Sequence, residues 1–137
     1  MKVSIVNQYS VFLVNEPGAL KKFSKILEKE GLDIIGLSSD VRYEAAIVKF
    51  VVSGAREAET SRIITGAGYT SIKTEALSLE IKNTAGVIAL IGDTLGKKNI
   101  NITNIYSTMI ENAAGRIFMV VDDLEKAVDA LKAVKEF

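Results

Sequence analysis

The sequence predicts an α+β protein made of two βαββαβ units in tandem, and three observations lead there. The chain matches itself at a displacement of 68 residues. Both copies carry the same strand, glycine corner and helix in the same order. Within each copy, apolar runs rich in β-branched residues alternate with segments whose apolar positions recur at helical spacing.

The ungapped match pairs 69 positions, and twelve are identical. They include Asn15/Asn83, Gly18/Gly86, Leu27/Leu95, Ile34/Ile102, Ser39/Ser107, Phe50/Phe118, Val52/Val120 and Glu57/Glu125. Their places at turn, helix and strand landmarks identify two copies of one unit. Each copy opens on a strand, "YSVFLV" or "LSLEI". An N-x-x-G corner follows, "NEPG" or "NTAG", and then a helix. In the first copy Leu20, Phe23, Ile26 and Leu27 form its apolar stripe. Gly31 and Asn99 are placed to end these helices in the left-handed conformation. Gly92 and Gly96 fall on one side of the second copy's helix, a spacing that suggests close approach by another helix or chain. Two more strands follow: "LDIIGLSSDV" with "AAIVKFVVS", and "INITNIYSTMI" with "GRIFMVV". The second helix begins near Gly54 or Asp122, with Glu57 or Glu125 three residues on, as a capping box requires. Its stripe in the second copy is Leu124, Ala127, Val128, Leu131 and Val134. The segment "YTSIKTEALSLEI" closes the first unit and runs into the second.

The units are therefore 1–74 and 75–137, antiparallel sheets with both helices on one face, a ferredoxin-like arrangement. Either alone has a marginal core, and no Pro/Gly linker separates them. One body with pseudo-twofold symmetry is expected. The second copy ends at Phe137, aligned with Tyr69, and lacks an equivalent of the closing strand Ser71–Thr74. Two readings follow for residues 1–7. Val3–Val6 complete the second unit's sheet, within the chain or in a partner chain, or they lengthen the first strand.

Composition narrows the function. An apolar fraction of 48% and a charged fraction of 25% are those of a globular domain. Seventeen basic residues balance seventeen acidic ones, which argues against nucleic acid as a partner. No signal peptide or membrane-length apolar run is present, so the expected location is cytoplasmic, without membrane partners. The absence of Cys and His removes thiolate chemistry, the usual general base and the common metal ligands. No catalytic residues, cofactor or metal site is expected, and the chain reads as a non-enzyme. Asp122, Asp123 and Glu125 are better explained by helix capping than by a metal.

The corners Asn15-Glu16-Pro17-Gly18 and Asn83-Thr84-Ala85-Gly86, followed by Gly31-Leu32-Asp33-Ile34 and Asn99-Ile100-Asn101-Ile102, resemble the ACT domain, the amino-acid-sensing module of metabolic enzymes. The resemblance covers nearly the whole chain, which looks like a stand-alone tandem ACT protein. It implies an allosteric regulatory protein that binds a free amino acid at the ACT–ACT interface, forms a homodimer and serves an amino-acid biosynthetic enzyme. Physical chemistry supports the corner independently. A glycine at a helix mouth lets a ligand approach the backbone, and the first helical N–H groups suit a carboxylate. The dipole supplies roughly 0.3–1 kcal/mol, whereas micromolar binding needs about 8 kcal/mol. Charge-assisted hydrogen bonds and water exclusion must supply the rest. The ligand-binding candidates are Asn15, Gly18, Ala19, Leu20, Asp33 and Ile34, and Asn83, Gly86, Val87, Ile88, Asn101 and Ile102. The resemblance assigns Asn83 and Asn101 to ligand contact. Asp33 departs from that pattern, so unequal sites are expected.

Structural roles compete with these assignments. The asparagines also suit turns, the glycines a tight strand-to-helix connection, and Asp33 and Asn101 a strand edge. An assembly module without a working amino-acid site is the alternative function. An RNA-binding sheet is disfavoured, because Phe50 and Phe118 read as core rather than as exposed stacking residues. Tyr106 is read as a packed aromatic.

Overall fold

The computed structural model describes residues 1–135, except the side chain of Ala55. Phe137, the sequence partner of Tyr69, lies outside them. The strands are β1 (Lys2–Val14), β2 (Ile34–Arg42), β3 (Ala45–Val52), β4 (Ser71–Lys82), β5 (Ile102–Thr108) and β6 (Ala114–Val121). The helices are α1 (Ala19–Lys29), α2 (Glu57–Gly66), α3 (Val87–Gly96) and α4 (Leu124–Lys132), with a 3₁₀ turn at Gly54–Arg56. The protein has the α+β architecture of paired βαββαβ-like units.

One compact unit is Asn7–Thr74; the other is Met1–Val6 with Glu75–Phe137. In the first, β1 and β2 both pair antiparallel with β3, so they run in the same direction. Alternation places Tyr9, Val11 and Leu13 opposite Phe50, Val48 and Ala46 on the face that meets the helices. Phe23, Leu27 and Ile64 come down onto them. The Phe23 ring centroid lies 5.5 Å from that of Phe50 and 5.2 Å from that of Tyr69. Each fully buried Leu, Ile or Phe contributes on the order of 1.5–3 kcal/mol.

In the other unit, β4 and β5 pair antiparallel with β6. Leu77, Leu79 and Ile81, with Ile117 and Met119, meet Val87, Ile91, Leu95, Ala127 and Leu131. Met1 and Val3 pack on this core, and Lys2 Nζ stands 3.9 Å from a Glu80 carboxylate oxygen.

Both helix ends predicted to turn left-handed do so: Gly31 has φ 69° and Asn99 φ 57°. Each return is tied by a long backbone bond, Leu32 N–H to Leu27 O (2.9 Å) and Ile100 N–H to Leu95 O (3.0 Å). Arg56 also donates to the Glu30 carbonyl.

The repeat departs from a single displacement of 68. Through β5 the frame holds: Tyr9, Val11 and Leu13 match Leu77, Leu79 and Ile81. In β6 it becomes 69, because Tyr9 faces Phe50 while Leu77 faces Met119. The hairpin between β5 and β6 carries one extra residue, and a one-residue slip turns every later side chain to the opposite face. At the last helix the frame becomes 67. Thr60 and Ile64 are buried in α2, Ala127 and Leu131 in α4. Two residues are lost where the first unit has its 3₁₀ turn. The identities Phe50/Phe118, Val52/Val120 and Glu57/Glu125 are therefore not structural equivalents.

The expected capping boxes are absent. The N-cap of α4 is Asp123, whose Oδ1 accepts from Lys126 N–H at 3.1 Å. No side chain caps α2; the Glu57 carboxylate accepts from Asn7 N–H at 2.6 Å instead. No helix of this chain makes the close approach expected at Gly92 and Gly96 by another helix or chain: among the described residues an added Cβ at either meets nothing within 4 Å.

Candidate functional site

The corners form because β1 and β4 must each turn back as a helix over the sheet. Gly18 (φ 87°, ψ −7°) and Gly86 (φ 91°, ψ −6°) are the N-caps of α1 and α3. A side chain is strained in that left-handed conformation. Space is not the reason for glycine here, since an added Cβ at either position meets nothing within 4 Å. Both corners are open.

Among the described residues, no side chain caps either helix. The first helical amide of each bonds back across the turn, Ala19 N–H to Glu16 O and Val87 N–H to Thr84 O, both at 3.3 Å. The next two, on Leu20 and Lys21 and on Ile88 and Ala89, have no acceptor among the described residues. Beside these amides, Leu20 and Ile88 leave 44% and 51% of their surface in solvent. Each corner thus pairs free N–H groups with an exposed aliphatic side chain.

The two asparagines differ. Both backbone amides hold the neighbouring hairpin, Asn15 to Glu44 O and Asn83 to Ala113 O at 2.9 Å each. The Asn83 side chain also donates to Ile110 O at 3.2 Å. The Asn15 side chain makes no hydrogen bond among the described residues. Turn duty therefore occupies the amide nitrogen of Asn83 and leaves that of Asn15 free.

Asp33 with Ile34, and Asn101 with Ile102, lie away from the corner of their own unit. Strands β1 and β2 are parallel, so the end of β1 and the start of β2 are at opposite ends of the sheet. Backbone bonds mark the two ends: Asn15 bonds the β2–β3 hairpin, while Asp33 O accepts from Ser53 N–H at 2.9 Å. The second unit repeats this through Asp122 N–H and Asn101 O at 3.1 Å. Asp122 Oδ1 also accepts from Asn101 N–H at 3.0 Å, so Asp122 serves the fold. Asp33 and Ile34 border a separate hollow of about 290 Å³ beyond the C-terminal end of α1. Among the described residues, the corner of each unit and its β2- or β5-start residues lie at opposite ends of that unit's sheet.

A cavity of about 310 Å³ that no sequence motif announces lies beside the first corner. Glu16, Ala19, Lys22 and Ile26 form one wall; Ala67 and Tyr69 belong to the other. The available signal was the i, i+4, i+7 spacing of Lys22, Ile26 and Lys29. Tyr106 is packed, stacked on Phe118 with ring centroids 5.5 Å apart, and burial pushes its phenol up to about 12. Phe118 is fully buried, so it offers no exposed stacking surface. Among the described residues no helix is long and apolar enough to cross a membrane.

Comparison with known proteins agrees with the fold. Solved structures share the fold at low identity. A protein of Bacteroides thetaiotaomicron matches with TM-score 0.85 at 20% identity, over 95% of this chain and 88% of that one. The ligand-free regulatory subunit of aspartate kinase from Thermus thermophilus matches with TM-score 0.72 at 17% identity, over 97% and 94%. The corresponding subunit from Thermus flavus gives 0.66 at 17% identity, over 97% and 94%. No curated protein matches the chain. The family model described as an ACT domain pair matches residues 4–135, and the chain belongs to that family.

Proposed function

We propose that this protein is a non-catalytic, cytoplasmic regulator that binds a free amino acid at its glycine corners and reports it to an amino-acid biosynthetic enzyme. The observation that carries the proposal is the pair of open corners, each with two free helical N–H groups beside an exposed aliphatic side chain. The ligand carboxylate takes the N–H groups, the asparagine oxygens take its ammonium, and Leu20 or Ile88 meets its side chain. Closure by a facing ACT unit, as expected from the sequence, is part of this proposal. So is a homodimer. The sites are unequal, with Asn15 the freer ligand group. Ligand then shifts the population of two packings in proportion to its preference for one of them. That solved relatives of the fold are regulatory subunits of aspartate kinase supports the regulatory reading.

A thermal-shift screen of the twenty amino acids tests it. Binding to the folded state raises the midpoint by mass action, and a ligand at 100 times its Kd adds about 2.7 kcal/mol. One or a few amino acids should raise the midpoint, and the Gly18→Val variant should lose much of that rise.

The assembly reading draws on a different observation. Leu37 and Val41 on β2 are about half exposed, as is Ile105 on β5. No thermal shift with any amino acid, together with a stable dimer, favours that reading.

A further inference from the structure

The unit Asn7–Thr74 has a groove between α1 and α2 that starts beside the first corner and runs along α1 away from it. The 310 Å³ cavity continues, through Ile26 and Ala67, into a second of about 480 Å³ bordered by Lys29, Glu30, Arg62 and Ile63. Ala19, Lys22, Ile26 and Lys29 recur at helical spacing, so one wall of the groove follows α1 from end to end. An eleven-residue helix is about 16 Å long. That is too long for one amino acid, and it matches about five residues of extended chain at ~3.3 Å each.

The lining is chemically selective. Ile26 and Ile63 form apolar steps, flanked by Lys22, Lys29 and Arg62. None of these three cations makes an ion pair among the described residues. Glu16 borders one end of the groove and Glu30 the other, so the unpaired positive charge lies between them. The chain as a whole is neutral, yet α1 carries four lysines against the single acid Glu28. The duplicate unit lacks this lining. Leu90 and Thr94 stand where Lys22 and Ile26 do, and Asp129 where Arg62 does. Lys97, the match of Lys29, is held by Asp93 at 2.6 Å.

We propose that the α1–α2 groove docks a short, extended, acidic segment of a partner protein, with carboxylates on Lys22, Lys29 and Arg62 and an aliphatic side chain over Ile26 and Ile63. The contact is independent of amino-acid binding at the corners.

The test titrates the full chain, without added amino acid, with a hexapeptide of alternating glutamate and leucine blocked at both ends, followed by backbone amide NMR. Amide shifts are expected to concentrate in 22–30 and 57–68, with the corner amides of Leu20 and Lys21 unmoved. A Lys29→Glu/Arg62→Glu variant should bind at least about tenfold more weakly, and raised salt should weaken the wild type. A lysine–leucine peptide should not bind. A Lys22→Gln/Arg62→Gln variant supplies the same comparison without charge reversal, and retained peak dispersion shows that it is folded. No binding, shifts outside the two helices, or equal affinity for the variants overturns the proposal. So does inorganic phosphate binding the same residues as tightly as the peptide, which makes the groove a small-anion site.

Discussion

Phe50 and Phe118, identical and 68 positions apart, lie on opposite faces of their sheets. Phe50 stands across from Tyr9 on the helix-facing side and meets Phe23. Phe118 stands across from Ser78 and stacks on Tyr106, while Met119 beside it takes the core position. An extra hairpin residue thus rebuilt the second core from Ile117 and Met119, where the first uses Val48 and Phe50.

This relationship predicts how Tyr106 titrates. Burial holds its phenol neutral, raising it from 10.0 to about 12. The contribution of Tyr106 to stability is therefore undiminished below pH 10 and is lost as the pH climbs toward 12. Phe118→Ala opens the ring to water and should bring Tyr106 back toward 10. Phe50→Ala should leave that titration unchanged while costing about 3–5 kcal/mol in the first core. Carbon-13 NMR of labelled tyrosine across the alkaline range reads both.

Glycine substitutions should sort by cause. Gly18→Ala and Gly86→Ala force a side chain into left-handed backbone and should each cost about 1–2 kcal/mol. Gly92 is helical, and an added Cβ there meets nothing, so Gly92→Ala should stabilise by about 0.5–1 kcal/mol. In β6 an added Cβ at Gly115 stands 2.3 Å from Met109 Sδ and 3.2 Å from Thr108 O, and Gly115→Ala should cost about 1–3 kcal/mol. Urea unfolding of the four variants gives these values.

The two corner asparagines should separate stability from binding. Asn83→Ala removes the bond to Ile110 O and should cost about 0.5–1.5 kcal/mol. Asn15→Ala removes no side-chain bond and should leave stability unchanged while weakening the ligand's effect. Thermal melts with and without the ligand from the amino-acid screen distinguish the two.

Removing the first six residues should affect the units unequally. Met1 and Val3 pack on the core of the second unit, and Lys2 lies near Glu80. We predict faster amide exchange in 75–135 of the truncated chain, with exchange in the core of 9–64 unchanged. Hydrogen exchange monitored by mass spectrometry measures this.

The fold was legible because its signals are local. Apolar alternation gave the strands, the N-x-x-G corners gave the turns into α1 and α3, and Gly31 and Asn99 gave the helix ends. What a self-comparison without gaps could not show were small changes of length. One residue gained before β6 and two lost before α4 leave Phe118 and Glu125 aligned by letter with residues whose roles they do not share. The geometry of the candidate site was legible in part for a related reason. Gly18 and Asn15 are neighbours in sequence, so their corner could be read directly. Asp33 follows the same helix, and only the parallel course of β1 and β2 places it at the far end of the sheet.

Amino-acid sensing by this protein requires that the free amides at the start of α1 and α3 hold a carboxylate. The most direct measurement is the amide NMR of Leu20, Lys21, Ile88 and Ala89 during titration with the amino acid that raises the melting midpoint most. Saturable shifts are expected at these amides, larger in the first pair, and lost when the ligand's carboxylate is replaced by an amide. Saturation of binding with all four amides unmoved would contradict carboxylate binding there.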